Sequence, residues 1–292
     1  MTLKNRTLQY LQERRNKLLE GGINSIPSPF KRFSSEFIGI EQGKYYCVTG
    51  ATKSAKTQLT SYLFLYTALL YAYEHPDQIR LKVFYYPLEE TPEDIMQRFA
   101  SFLLCKFSNY NTRISPTDLQ SSKNTPVSQE ILDKLGDGEY SNLLDFFEKC
   151  VVFSSTRNAT GMYKEVRKYV EENGTTYTKK VKIKDDFGGT KEIEAFDYYI
   201  PNDPDEYVLV IYDHLSLTQP ENGLTLKQSM DKVSEYFVIL RNRYKVSPVL
   251  VQQQSFEGES LDAFKANKLR PTAQGLADSK YSSRDKLLFI FL

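Results

Sequence analysis

The chain has 292 residues, of which 40% are hydrophobic and 26% charged, which suits a soluble globular protein with one large α/β domain or two small ones. Its formal net charge of +1 provides no bulk positive field, so any nucleic-acid contact has to come from local loops or from assembly. The opening MTLKNRTLQYLQERRNKLLEGG is too polar for a signal peptide, and no apolar run approaches the ~20 residues of a membrane-crossing helix. Cys47, Cys105 and Cys150 form neither C-x-x-C nor a Cys/His cluster, so they read as reduced thiols and the protein as cytoplasmic.

In chain order, Leu8, Leu11, Leu18 and Leu19 recur at helical spacing among many charges until Gly21-Gly22 stops the pattern. This stripe is thin for a core helix, so residues 1–21 read as a helical arm that docks on something else, or as a solvated helix. After a Pro/Ser turn, strands at 45–49, 81–87, 150–153, 207–212, 248–253 and 286–292 alternate with helices at 56–73, 92–104, 163–172 and 227–244. Thr91 is placed as the N-cap of the second helix, with Pro92 at its first position. Such alternation predicts an α/β fold, a mostly parallel central sheet flanked by helices.

One segment, about 175–200, breaks the rhythm. Period-two alternation on both sides of Asp186-Phe187-Gly188-Gly189 predicts an inserted β-hairpin. Lys180, Lys182 and Lys184 on its first strand and Glu192 and Glu194 on its second suggest cross-strand charge pairing on a solvated ribbon, in preference to a DNA or partner contact.

The chemistry starts at TGATKSAKTQL, directly after the first strand. It nearly matches G-x-x-x-x-G-K-[ST], in which backbone amides of a tight turn and a helix N-terminus surround a phosphate. Gly50, Ala51, Thr52, Lys53, Ser54 and Ala55 would form the loop, Lys56 would reach the β/γ-phosphates and Thr57 would hold Mg²⁺. Ala55 stands where the second glycine belongs, placing a methyl where backbone should approach phosphate. Asp213, ending the apolar run YVLVIY, suits a metal-orienting acid. Glu89 and Glu90 follow another strand at the edge where ligands of such sheets bind, and either could orient water. Gln252, Gln253 and Gln254 end a third strand; at least one should face the same crevice and sense the γ-phosphate.

In this order, the motifs resemble the RecA-like motor domain of DnaB-type replicative DNA helicases. GINSIPSPFKRFSSEFIGIEQGKYYCVTG is similar to the family's lead-in to its phosphate loop, PLEETPEDIMQRF to its Leu-Glu motif, VIYDHLSL to its acidic strand and PVLVQQQS to its glutamine strand. RPTAQGLADSKYSSRDKLLFIFL follows the family's Arg-Pro to apolar-strand segment. The resemblance covers residues 22–292, taken as one RecA-like P-loop NTPase domain carrying the hairpin. It implies ATP and Mg²⁺ as cofactors, Glu89 as the catalytic base rather than Glu90, Arg98 as the helix arginine and Gln254 as the sensor. It also implies a ring homo-oligomer, of hexamer type, around single-stranded DNA. The loops facing DNA would be 218–228 and 255–284, with Lys265, Lys268 and Arg270 in the second.

The chain departs from the family pattern in three ways. Ala55 replaces glycine; only the short arm precedes Gly22, where the family has a globular domain that recruits primase; and the family's basic finger lies beyond the strand that ends this chain. A chain stopping on KLLFIFL reads as a truncated product, and the short N-terminus as a viral or mobile-element version in a bacterial or phage-infected cell. The reading is an ATP-dependent, 5′-to-3′ DNA helicase motor in replication, with primase or other replisome proteins as further partners. The rivals are a RecA-like loader, recombination mediator or regulatory protein with weak or no ATPase activity, and a small-molecule kinase, for which no arginine-rich lid is evident.

Overall fold

The computed structural model describes residues 2–33, 35–123, 125–184, 190–254 and 288–291. Helix α1 (Leu3–Leu19) is capped by Thr2, whose hydroxyl accepts from the Asn5 amide. A short bridge between β1 (Ile26–Pro27) and β2 (Gly39–Ile40) closes the Pro/Ser loop. It needs Gly39, because at φ 136° an added Cβ would lie 1.8 Å from the Ile26 carbonyl oxygen.

Strand β3 (Tyr46–Gly50) leads through the phosphate-loop segment into α2 (Lys56–Thr60), which continues as a π-helical stretch (Ser61–Tyr66) and then α3 (Thr67–Glu74). Next come β4 (Arg80–Pro87) and α4 (Pro92–Phe107), whose start is fixed by a capping box in which Thr91 and Asp94 satisfy each other's backbone amides. Helices α5 (Pro116–Leu119), α6 (Gln129–Gly136) and α7 (Gly138–Cys150) precede β5 (Val151–Phe153), and α8 (Ala159–Glu172) precedes the hairpin β6 (Gly174–Lys184) and β7 (Thr190–Pro201). The chain then forms β8 (Glu206–Asp213), α9 (Leu226–Tyr244), β9 (Ser247–Gln253) and β10 (Leu288–Phe291).

Strands β10-β3-β9-β8-β4-β5 form one sheet in that order, each parallel to its neighbours. Alternation along the strands splits the core in two. Val83, Tyr85, Leu209, Ile211 and Val249 face a layer that includes Leu69 of α3, Phe99 of α4 and Phe147 of α7. Phe84, Tyr86, Val210, Tyr212 and Leu250 face Met162 and Val166 of α8 and Val233 and Phe237 of α9. A parallel sheet buried on both faces explains the near-continuous apolar runs in its strands. It also brings every strand's C-terminal end to one edge, where Gly50 lies opposite Gln253 and Pro87 opposite Asp213.

The hairpin stands apart as a two-stranded antiparallel ribbon. Lys180 lies directly opposite Glu194 and Lys182 opposite Glu192, the pairing expected of a solvated ribbon. A bulge at Asp197 shifts the register, and on either side of it Phe196 and Tyr199 pack against Tyr244 of α9. Residues 185–189, where the sequence places the turn, lie outside the described residues.

Helix α1 has no buried residue. One polar face meets the rest of the chain: Arg6 with Asp197 and the Tyr198 ring, the Tyr10 ring with Lys245, Arg14 with Glu41 and, through its carbonyl, Asn24, and Lys17 with Asp205. Leu8, Leu11, Leu18 and Leu19 are exposed on the other side.

Candidate nucleotide-binding site

β3 delivers Gly50 to the sheet edge, and residues 51–55 turn the chain back so that α2 begins at Lys56. Within the turn the Ser54 amide donates to the Ala51 carbonyl at 3.3 Å, and the Leu59 amide donates to the Ala55 carbonyl at 2.9 Å. Lys53 and Ala55 both take left-handed backbone, at φ 63° and 61°. For Ala55 this is the physical form of the sequence difficulty: the position demands a conformation that glycine takes freely and alanine takes at a cost of about 1–2 kcal/mol. Lys56 is buried, and its ammonium donates to the carbonyl of Ala51 inside the loop.

Asp213, at the end of β8, is 5% exposed, and the Thr57 hydroxyl is near enough to favour its ionised form, so the two groups proposed for metal binding face one cleft between α2 and β8. Burial raises the Asp213 carboxyl pKa to about 6; Thr57 and Arg98 act against the shift, while Glu90 and Glu89 add to it. Thr57, Tyr85, Pro87, Glu89, Glu90 and Asp213 line one small cleft.

The two glutamates differ in surroundings. Glu90 is ion-paired with Arg98 of α4, whose side chain is 16% exposed. Glu89 is 66% exposed and has His214 Nε2 at 3.6 Å. His214 is itself buried, and desolvation lowers its pKa, with Glu89 opposing and Lys56 reinforcing the shift. Sequence reasoning did not single out His214 or Tyr85. Their signals were position alone: His214 follows Asp213, and Tyr85 is two residues before the end of β4.

Gln254 lies just past β9. Its amide N–H donates to the Gly50 carbonyl at 3.0 Å and its side-chain Nε2 donates to Thr49 Oγ1 at 2.9 Å, which ties it to the strand carrying the phosphate loop. Gln252 is fully buried, while Gln253 and Gln254 are partly so. Lys265, Lys268 and Arg270 lie outside the described residues. The loop after β8 is held to the body through Glu221, whose carboxylate accepts from the Thr160 amide and hydroxyl at 2.7 and 2.8 Å and from Lys232 at 2.5 Å.

The oxygen donors at Thr57 and Asp213 fit a hard cation such as Mg²⁺. Among the described residues there is no group of three or more His, Cys, Asp or Glu placed to hold a metal ion.

No family model and no curated protein sequence matches the chain. Among solved structures, a DnaB-like replicative helicase, described with its interactions with primase, aligns over 100% of this chain at TM-score 0.61 and 14% identity. This chain spans 56% of that one. A KaiC-like protein from Pyrococcus horikoshii OT3 aligns over 80% of this chain and 70% of its own at TM-score 0.37 and 12% identity, too distant to carry any argument. The architecture is thus the expected one: a RecA-like α/β fold of the kind found in a DnaB-like helicase, in which an antiparallel hairpin is present as a separate two-stranded sheet. Among the described residues no helix is long and apolar enough to cross a membrane.

Proposed function

We propose that the chain is an ATP-dependent DNA helicase motor of DnaB-like type, translocating 5′ to 3′ on single-stranded DNA as a ring homo-oligomer in replication. The observation that carries the reading is the convergence of Lys56, Thr57, Asp213, Glu89 and Gln254, drawn from four strand ends, on one edge of a parallel sheet. In this reading residues 50–57 cradle the phosphates of ATP, and Lys56 leaves the Ala51 carbonyl to neutralise charge on the transferring group. Thr57 and Asp213 would hold Mg²⁺, which would supply neutralisation of phosphate charge. Glu89, exposed at the cleft mouth, orients the attacking water. Gln254, tethered to Thr49 and Gly50, reports the state of the γ-phosphate to the segment that follows it, where Lys265, Lys268 and Arg270 would contact DNA phosphates. Primase interaction belongs to the solved DnaB-like protein; for this chain it is an extension of the same proposal.

The strained Ala55 favours a second reading, a RecA-like loader, mediator or regulatory protein that binds nucleotide with weak or no turnover. DNA-stimulated ATP hydrolysis by the purified chain separates the two. The motor reading expects turnover that rises with single-stranded DNA and vanishes in Lys56→Ala; nucleotide binding without turnover would select the second.

A further inference from the structure

Two strand ends bring Glu89 and His214 together. β4 and β8 are parallel neighbours with Pro87 opposite Asp213, and just past that pair the Leu88 amide donates to the Asp213 carbonyl at 2.9 Å. Leu88, before Glu89, and Leu215, after His214, are both buried in the layer that α8 and α9 cover. Both residues therefore leave anchored backbone, yet their side chains differ: His214 is 7% exposed and Glu89 66%. His214 Nε2 lies 3.6 Å from Glu89 Oε2, longer than a hydrogen bond by about 0.5 Å. The imidazole is held by burial while the exposed carboxylate can turn. A small rotation of Glu89 alone closes the gap, as catalytic contacts often do once substrate is bound.

The other ring nitrogen decides where the imidazole proton sits. His214 Nδ1 is buried without a hydrogen-bond partner among the described residues. Orphaned buried donors are rarer in native structures than unfilled acceptors, so Nδ1 is the bare nitrogen and Nε2 carries the hydrogen. An Nε2–H beside a carboxylate is a charge-assisted donor, stronger than a neutral pair. We propose that His214 is a positioning residue for Glu89: its Nε2–H donates to Glu89 Oε2 and fixes the carboxylate at the cleft mouth, leaving Oε1 to accept from the attacking water. A neutral imidazole suffices for this, and no proton is transferred to it. The contact stands on the geometry of the two strand ends, whereas its part in turnover rests on the reading of Glu89 given above.

The contact and its role are tested separately. The chain has two histidines, His75 and His214, so imidazole ¹⁵N spectra at pH 8, where an ordinary imidazole is neutral, are assigned with His214→Asn. His214 is expected to show the Nε2–H tautomer, with an Nε2 signal that moves in Glu89→Ala. An Nδ1–H tautomer, or a signal indifferent to Glu89→Ala, would overturn the contact. Steady-state hydrolysis and ADP binding then read the role. His214→Asn, whose amide is too short to reach Glu89, is expected to lower kcat about 10- to 100-fold with ADP affinity unchanged. His214→Gln, whose amide nitrogen can take the place of the imidazole Nε2, is expected to recover most of that loss. No loss in His214→Asn, equal loss in both variants, or a loss of ADP affinity in place of kcat would overturn the positioning role. A wild type that binds ADP but does not hydrolyse ATP would overturn the motor reading and the role in turnover with it, and the spectra would still decide the contact.

Discussion

Arg98 is ion-paired with Glu90, while the neighbouring Glu89 stands exposed with His214 3.6 Å away. Adjacent carboxylates with such different partners should fail differently. Glu89→Gln is expected to lower ATP turnover by about 10²–10⁴ with nucleotide binding intact. Glu90→Gln should keep most turnover but leave Arg98 unpaired in a partly buried position. It should destabilise the fold by about 1–2 kcal/mol, below the value for a fully buried pair because Glu90 is partly solvated. Steady-state hydrolysis and urea unfolding of the two variants check this, and the opposite pattern would move the base to Glu90.

Much of this arrangement was legible in the sequence because a parallel α/β sheet places its chemistry where apolar runs end. The runs ending at Gly50, Asp213 and Gln253 read directly as strands, and their C-terminal ends share one edge by topology. Cross-strand charge pairing in the hairpin was legible too, since period-two alternation puts its lysines and glutamates on defined faces; which residue meets which, Lys180 opposite Glu194, was not. Helices α5 to α7 were not singled out: α5 has four residues, α6 has no buried residue, and α7 follows α6 with only Asp137 between them. Nor did the leucine stripe of α1 show which face would meet the body. The charged face does so because Asp197, Asp205 and Glu41 lie across from it, and only tertiary structure brings those together. Ala55 was legible as a problem of space near phosphate, but its left-handed backbone was not.

That backbone makes Ala55→Gly informative. Glycine relieves about 1–2 kcal/mol of left-handed strain while adding about 0.4–1 kcal/mol of unfolded-state entropy, so the net change in stability should be small and favourable. If the loop also has to settle onto phosphate, nucleotide affinity should rise by up to about tenfold, equivalent to about 1.4 kcal/mol. Calorimetric titration with ADP and Mg²⁺ measures it. Weaker binding by Ala55→Gly would mean that the alanine methyl makes a useful contact and that the loop is not a strained version of a glycine turn.

The raised pKa of Asp213 sets a pH dependence with a definite sign. Its carboxyl ionises at about 6 in the folded chain against 3.8 for the ordinary group, so the folded state binds the proton more tightly than the unfolded state. Ionised Asp213 therefore costs stability above pH 6, by at most about 3 kcal/mol, and this cost fades as pH falls from 6 to 3.8. Asp213→Asn should raise the thermal midpoint at pH 8 and lose that advantage near pH 4. Mg²⁺-dependent nucleotide binding by the wild type should weaken as pH falls through 6, because the proton competes for the same oxygens. A midpoint difference between Asp213→Asn and wild type that does not change with pH would show that the carboxylate is better solvated than its burial suggests.

Helix α1 offers a test of assembly that leaves the nucleotide site alone. It is attached by Arg6, Arg14 and Lys17, and it turns Leu11 and Leu18, 56% and 57% exposed, away from its own body. An amphipathic helix docked by its charged face gains nothing from its leucines within one copy of the chain, whereas ring formation would place them against another copy. Leu11→Glu combined with Leu18→Glu should leave single-chain stability within about 0.5 kcal/mol, as exposed substitutions usually do. The same pair should shift sedimentation toward smaller species. Arg14→Ala, which removes the Glu41 ion pair, should instead loosen the arm from its own body and expose it to proteolysis. If the double leucine variant sediments as the wild type does, the arm is not an assembly element, and the ring proposal must rest on other surfaces of the RecA-like body.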